Sequence, residues 1–433
     1  MIKSIIKRIT PKFILEVYHY FWAFFSALFY LFPSGKMIII GITGTNGKST
    51  TVDMVSKILI AAGNKTASIS SLRFQINEKV WQNRLKMTMP GRFAIQKFLH
   101  QALKEGCKYV VLETTSEGIK QYRHRFIDYD IAAITNLKPE HIESHGSFEK
   151  YRLAKGKLFK TLSKTKRKKN IKKISIVNLD DENAKYFLQF KSDEKWGYGL
   201  KDSAIDVDQR LIASDINIIY PQTKFSLNNK EITINFLGEF NVLNSLAAIS
   251  ICLSQKIDLD LIIKSLENIH GVSGRMEVIS KEPLVFVDFA HTPDALEAIH
   301  KAIKPLKKGN IICVLGSCGG GRDKWKRPEM GKISDQNCGR IILTNEDPYD
   351  EDPESILDQI EKGIASKKAE RILDRKEAIK RALQIAQNED IVLITGKGSE
   401  PLMCLAKGQK IPWDDREIVR QELNKIHENK GNI

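Results

Sequence analysis

Met37-Ile38-Ile39-Ile40 runs directly into Gly41-Ile42-Thr43-Gly44-Thr45-Asn46-Gly47-Lys48-Ser49-Thr50, and a helical pattern follows over residues 51–62. An apolar run, a glycine-rich turn and a helix in that order form the opening unit of a nucleotide-binding α/β domain. Consecutive backbone N–H groups at the start of a helix cradle phosphate oxygens. Lys48 can neutralise β/γ charge there, and the Ser49 or Thr50 hydroxyl can ligate Mg²⁺. The spacing departs from G-x-x-x-x-G-K-[ST], because Gly41 lies one residue early and Ile42 takes the first glycine position. A chance glycine-rich turn is the competing account, and the flanking strand and helix weigh against it. The loop predicts ATP binding through Gly44, Thr45, Asn46, Gly47, Lys48, Ser49 and Thr50.

Short buried-strand candidates recur at residues 109–112, 131–134 and 174–177, as a mostly parallel sheet would give. Between residues 198 and 236 the pattern turns to alternating segments, read as a small antiparallel insert. A second α/β series has strand candidates at 284–287, 311–315, 340–343 and 391–394. The 433 residues exceed one compact core. The expected fold class is α/β: a P-loop central domain with a parallel sheet plus a small antiparallel insert, then a Rossmann-like C-terminal domain. The expected boundaries are 1–36 for a hydrophobic N-terminal helix, 37–272 for the ATP-binding domain and 273–433 for the last.

Residues 13–32 are nearly all apolar or aromatic, with Glu16 and His19 interrupting one end, and Lys3, Lys7, Arg8 and Lys12 precede them. The length just reaches the roughly 20 residues of a spanning helix. No small-residue cleavage site follows, which argues against a cleaved signal. An anchoring or interfacial helix, a helix docked on the protein's own core and a dimer contact are all open. The basic flank and the Trp and Tyr residues favour peripheral membrane contact. The net charge of +16 suits anionic partners. The run from Lys164 to Lys169 lacks the aromatic interleaving of a single-strand binder, so no nucleic-acid partner is expected. Six scattered cysteines form no C-x-x-C pair, indicating neither a disulfide framework nor a zinc knuckle and fitting a reducing cytoplasm.

The GTNGKST variant resembles the Mur ligase family, with its best match in the MurE type (UDP-N-acetylmuramoyl-tripeptide synthetases), and the resemblance runs from Gly41 to Glu400. ETTSEGIKQYRHR, opening at Glu113, is similar to the family's E-V-S-S-H…Q-H-R. TNLKPEHIESHG, opening at Thr135, resembles T-N-L-x-x-D-H-L-D-x-H-G. YRLAKGKLF, opening at Tyr151, matches Y-x-x-A-K-x-x-L-F. The resemblance implies that Glu113, His141 and a carbamylated Lys155 join Ser49 in holding Mg²⁺, with Lys48, Glu113, His141 and Lys155 as the catalytic set. It also implies that Thr88, Thr115, Gln121 and Arg123 contact a muramoyl-peptide donor. Glu117, Met87 and Met89 depart from the family's motifs. Asn241 and Asn244 in FNVLNSLAA would face the adenine, and Arg275, Asp288 and His291 would reach the nucleotide from the second domain.

The acceptor motif also departs. The family's diaminopimelate-adding members carry D-N-P-R where this chain has Glu346-Asp347-Pro348-Tyr349. Tyr349 cannot supply the bidentate clamp an arginine gives a distal carboxylate. A lysine-like amine near Glu346 and Asp347 is therefore favoured, with Arg322, Gly396 and Glu400 holding the amino acid's α-groups. The implied reaction is ATP-dependent amide formation through an acyl-phosphate, joining a free amino acid to a peptidoglycan precursor in the cytoplasm or at the membrane's inner face. A UDP-binding domain would need more than the roughly 40 residues before the loop, so a lipid-linked donor is an alternative to a UDP-linked one. Competing functions are a folylpolyglutamate- or cyanophycin-synthetase-like ligase and a non-catalytic membrane-associated ATP-binding scaffold.

Overall fold

The structure, a computed structural model, describes residues 11–366 and 369–431. Its first sheet has nine strands: β1 (Ile38–Thr43), β2 (Thr66–Ile69), β3 (Arg73–Ile76), β4 (Lys79–Gln82), β5 (Tyr109–Glu113), β6 (Ile131–Ile134), β7 (Ile174–Asn178), β8 (Glu194–Gly199) and β9 (Gln209–Ile212). Their order is β4-β3-β2-β5-β1-β6-β7-β8-β9. The apolar run of β1 is buried along its whole length because parallel partners flank it and helices cover both faces. One face packs on helices Lys48–Ala61 and Glu239–Ser254, the other on Arg92–Lys104 and Phe148–Lys164. After β1 the chain builds toward β2 and β5 on one side and then β6 and β7 on the other. The carboxyl ends of β5, β1 and β6 thus form a switch point, where ligands enter open α/β sheets.

The alternating stretch divides in two. β8 and β9 extend the main sheet in parallel, and only β10 (Ser214–Ile219), β11 (Gln222–Leu227) and β12 (Lys230–Ile234) form the small antiparallel sheet. Half-buried edge strands and solvent-facing hairpins share the same period-two pattern, so alternation alone could not separate them.

A second sheet is ordered β13-β14-β18-β15-β16-β17, from β13 (Glu277–Lys281), β14 (Leu284–Val287), β15 (Ile311–Leu315), β16 (Arg340–Leu343), β17 (Glu370–Arg371) and β18 (Ile391–Ile394). All its pairings are parallel except β13 with β14. A short ribbon of β19 (Leu402–Cys404) and β20 (Lys410–Pro412) follows. Cys313 of β15 is bonded to Cys338 behind helix Lys326–Asn337, a correction to the expectation of no disulfide. The helix that intervenes returns the chain beside β15, a proximity that a spacing of 25 residues does not advertise.

The apolar N-terminal segment is a helix, Lys12–Phe29, and among the described residues no helix is long and apolar enough to cross a membrane. Its small residues Ala23, Ser26 and Ala27 are buried, while Trp22, Phe25 and Phe29 close on Phe93 of helix Arg92–Lys104. Tyr20 and Phe24 meet Phe126. Phe13, Val17, Phe21 and Leu28 remain exposed. Lys3, Lys7 and Arg8 lie outside the described residues.

His300 is buried on helix Pro293–Ile303, and that burial pushes its pKa down to about 4. Because the folded-state pKa lies below the unfolded one, the unfolded chain takes up the proton first as acid is added. The stabilisation from this residue is complete above pH 6.5 and is lost as pH falls toward 4, by roughly 3 kcal/mol in all. Denaturant titrations at pH 7 and pH 4.5 should show the difference shrinking by roughly 2 to 3 kcal/mol in His300→Leu.

Candidate active site

The phosphate loop is held in shape by the segment after β6. Asn136 Oδ1 accepts from Asn46 N at 2.9 Å, and Thr135 Oγ1 donates to the Asn46 carbonyl at 2.6 Å. Thr45 N donates to the Asn136 carbonyl at 2.9 Å. Two glycines are sterically required. Gly44 has φ +149 and a Cβ there would lie 1.8 Å from Thr135 Oγ1; Gly47 has φ +82 and its Cβ would lie 2.1 Å from Asn244 Oδ1. Helix Lys48–Ala61 starts immediately after, so its first N–H groups have no intrahelical acceptor and are available to phosphate. Lys48 Nζ donates to the Thr45 carbonyl at 2.8 Å, and burial lowers its pKa.

Glu113, buried at the end of β5, accepts from Ser49 Oγ at 2.8 Å and from Ser71 N at 2.8 Å. Ser49 is therefore the hydroxyl joined to the carboxylate. Glu140 is buried; Lys326 donates to its Oε1 at 3.0 Å while its Oε2 has no hydrogen-bond partner, and burial raises its pKa. His141 lies in the left-handed region at φ +58, 3.4 Å from Arg322 through Nδ1. Burial, then Arg322 and Lys155, hold its imidazole neutral. Lys155, on helix Phe148–Lys164, donates to the Gly44 carbonyl at 2.6 Å, lies 4.6 Å above the Tyr151 ring and is wholly buried beneath the loop. Burial and then Lys48 push its pKa well below the usual lysine value. A carboxylate, a hydroxyl and an unpartnered carboxylate oxygen beside a phosphate cradle are hard donors that fit Mg²⁺.

The second sheet's loops close the other wall of a cleft of about 620 Å³. Arg275, Asp288, His291 and Arg322 line it from that side, and Asn241 and Asn244 line it from helix Glu239–Ser254. Asp288 accepts from Met276 N and Ala290 N, both at 2.6 Å, so it shapes the turn that carries Arg275. Asn244 bears on Gly47 as well as the cleft. The two halves are clasped: Asp323 accepts from Ile142 N at 3.0 Å and Glu143 N at 2.9 Å, beside the Lys326–Glu140 pair.

Thr88, Thr115, Gln121 and Arg123 line the far end. Arg123 donates to Gln121 Oε1 at 2.8 Å and to the Met89 carbonyl, and Thr115 caps Gly118 N at 3.1 Å. Glu117 also lines the cleft and accepts from the Ser144 hydroxyl. Of the acceptor candidates, Arg322 and Glu400 reach the cleft, whereas Glu346, Asp347, Tyr349 and Gly396 stand behind its wall. A Cβ on Gly396 would strike Glu346 Oε2, and the Tyr349 ring covers Gly320. Asp347 is already engaged with Lys397 at 2.9 Å and Lys86 at 2.9 Å. Lys86, Ser71, Asn136 and Glu140 were not singled out from the sequence. Asn136 and Glu140 fell inside a motif already noted, while nothing local marks Lys86 or Ser71.

Two family models match: the Mur ligase middle domain over residues 42–252 and the Mur ligase glutamate ligase domain over residues 274–398. A UDP-N-acetylmuramoyl-L-alanyl-D-glutamate–2,6-diaminopimelate ligase of Bacillus cereus is 35% identical over 401 residues, 91% of this chain and 80% of that protein.

The chain belongs to the Mur ligase family.

Members of this family are ATP-dependent, amide-forming ligases. A ligase of the same name from Aquifex aeolicus is 36% identical, covering 90% of this chain and 78% of that protein. A solved structure of such a ligase aligns with TM-score 0.60 at 30% identity over 90% of this chain and 79% of that one. The Mycobacterium tuberculosis folylpolyglutamate synthase complexed with ADP aligns with TM-score 0.70 at 15% identity over 87% and 91%, a likeness of fold alone.

Because a side chain at Gly47 meets both a left-handed backbone and Asn244, Gly47→Ala should distort this Mur ligase's cradle. The strain is roughly 1–2 kcal/mol, so ATP-analogue affinity measured by calorimetry should fall about tenfold or more, with the melting temperature little changed.

Proposed function

We propose that this Mur ligase joins a free amino acid to the carboxylate of a muramoyl-peptide, using ATP and Mg²⁺. The observation that carries the reading is one continuous cleft that runs from the phosphate cradle, past Glu113 and His141, to Arg123 on one side and to Arg322 and Glu400 on the other. A carboxylate oxygen of the donor attacks the γ-phosphorus of ATP, giving an acyl-phosphate and ADP. The amino nitrogen of the acceptor then attacks the acyl carbon, phosphate leaves, and the nitrogen loses a proton. Lys48 and the helix N–H groups stabilise charge on the transferring phosphoryl group. Ser49 and Glu113 would hold Mg²⁺, with His141 and a carbamylated Lys155 toward a second ion, and the metal would supply further charge neutralisation. Gln121, Arg123, Thr115 and Thr88 orient the donor, and Arg322 and Glu400 the acceptor. The clasp through Asp323 and Glu140 ties the two walls of the cleft together around the reacting groups.

The depressed pKa of Lys155 supports its carbamylation. A neutral amine can add CO₂ and lose a proton, so the residue becomes an anionic oxygen donor. The domain division proposed is 1–36, 37–272 and 273–433, with the nucleotide gripped by the middle unit and capped by the last.

The exposed face of helix Lys12–Phe29 supports a cytoplasmic enzyme resting on the membrane's inner surface, where a lipid-linked donor would be within reach. Anionic vesicles should co-sediment the protein, and replacing Phe13, Val17 and Phe21 by serine should abolish this without altering turnover of a soluble donor. Equal sedimentation of both proteins would refute the membrane contact.

Phosphate release should require ATP, Mg²⁺, a muramoyl-dipeptide and an amino acid together; release that ignores the last two would sink the ligase reading. In the same assay Lys155→Met should lower kcat on the order of a hundredfold or more, with ATP-analogue binding retained.

A further inference from the structure

The acceptor end of the cleft contains a cation contributed by the opposite half of the molecule. Lys86 sits between β4 and helix Arg92–Lys104, yet its Nζ lies 2.6 Å from Glu400 Oε2 and 2.9 Å from Asp347 Oδ2. Those two carboxylates are already bridged from behind by Lys397, at 2.9 Å to Asp347 and 2.8 Å to Glu400. The set is two lysines and two carboxylates, balanced in charge. The lysines differ in kind. Lys397 is fully enclosed and also donates to the Leu402 carbonyl at 2.7 Å, so it belongs to the wall. Lys86 lines the cleft, keeps 10% of its side chain exposed and comes from a loop.

That loop is shaped to deliver it. Buried Asn83 donates to the Ser70 carbonyl at 2.9 Å and to the Met87 carbonyl at 3.0 Å, and accepts from Leu85 N at 3.0 Å. Lys86 stands at the tip with φ +52, a conformation unfavourable for a side-chain-bearing residue. The ammonium is the feature common to Lys86 and a diamino acid. Were Lys86 to withdraw, Asp347 and Glu400 would face the cleft with Lys397 alone, a net negative subsite of ammonium size.

We propose that Lys86 is a tethered occupant of the acceptor's side-chain ammonium subsite, displaced by an amino acid with a lysine-like second amine, and so a determinant of acceptor specificity. This rests on the ligase reading. An internal competitor lowers apparent affinity by the fraction of time the subsite is open, so its removal strengthens only those acceptors that use the subsite. Neutral acceptors leave Lys86 in place and gain nothing from the subsite.

The test is calorimetric titration of L-lysine and of L-alanine into ADP-loaded wild type, Lys86→Met and Lys86→Arg, with melting curves to establish folding. Lys86→Met should bind L-lysine about tenfold more tightly than wild type, L-alanine should be unaffected, and Lys86→Arg should stay near wild type. Unchanged or weaker L-lysine binding in Lys86→Met, or equal tightening of both amino acids, overturns the proposal, as does the absence of L-lysine binding in all three. Turnover separates the two readings. Tighter L-lysine binding without acceptor-dependent phosphate release removes the ligase reading alone, whereas ligation of L-lysine with KM unmoved by Lys86→Met removes the tethered cation alone.

Discussion

Asn46 is gripped on both its backbone groups by Thr135 and Asn136, the residues that follow β6. Backbone donors and acceptors in a tight turn must be paired or solvated, and here the neighbouring strand's loop does the pairing. That leaves the following helix start free to face an anion. Because Gly44 and Gly47 admit no side chain in this packing, the loop has one shape, and the residues beneath it inherit their positions. Lys155 reaches the Gly44 carbonyl only because the loop lies flat upon it, and Asn244 touches the site because Gly47 lets helix Glu239–Ser254 approach. The sheet order places Glu113 on the adjoining strand, with its carboxylate against Ser49.

Closure of the cleft combines apolar packing, with Leu237, Tyr220 and Phe240 seated against the second sheet's core, and charged crossings. Lys326 with Glu140, Asp323 with the amides of Ile142 and Glu143, and Lys86 with Asp347 and Glu400 all cross between the halves. Buried pairs of this kind contribute little net stability, since desolvation offsets their attraction, but losing one partner is costly. They therefore favour a particular relative placement of the two sheets. Charged crossings can also be rearranged by charged ligands, which suits a cleft that must admit a nucleotide and an amino acid.

Much of this was legible in the residues. β1, β5, β6 and β7, and β14, β15, β16 and β18 of the second sheet, stand out as short apolar runs because both their faces are buried. The phosphate loop and the segments around Glu113, His141 and Lys155 are local sequence patterns. β9 was not legible, since an edge strand paired in parallel with β8 has the same alternation as a hairpin. Lys86 and Asp347 are 261 residues apart, and no periodicity encodes a contact of that range. The same holds for Cys313 and Cys338. The apolar stretch at residues 13–32 suggested a membrane by composition, while its small residues Ala23, Ser26 and Ala27 carried the quieter signal of a helix packed on protein.

That packing bears on how the protein can be trimmed. Arg92 donates to the Gln121 carbonyl at 2.7 Å and also meets His19, while Tyr20 lies against Tyr122 and Phe126. Helix Lys12–Phe29 is thus a splint for the stretch that carries Gln121 and Arg123, whatever its outer face touches. Cutting it away to gain solubility would bare Phe93 and Phe126 and unbrace that stretch in one stroke, so a shortened protein that clumps or works poorly would say nothing about membranes. Polar replacements confined to the outward residues keep the splint and alter only the surface.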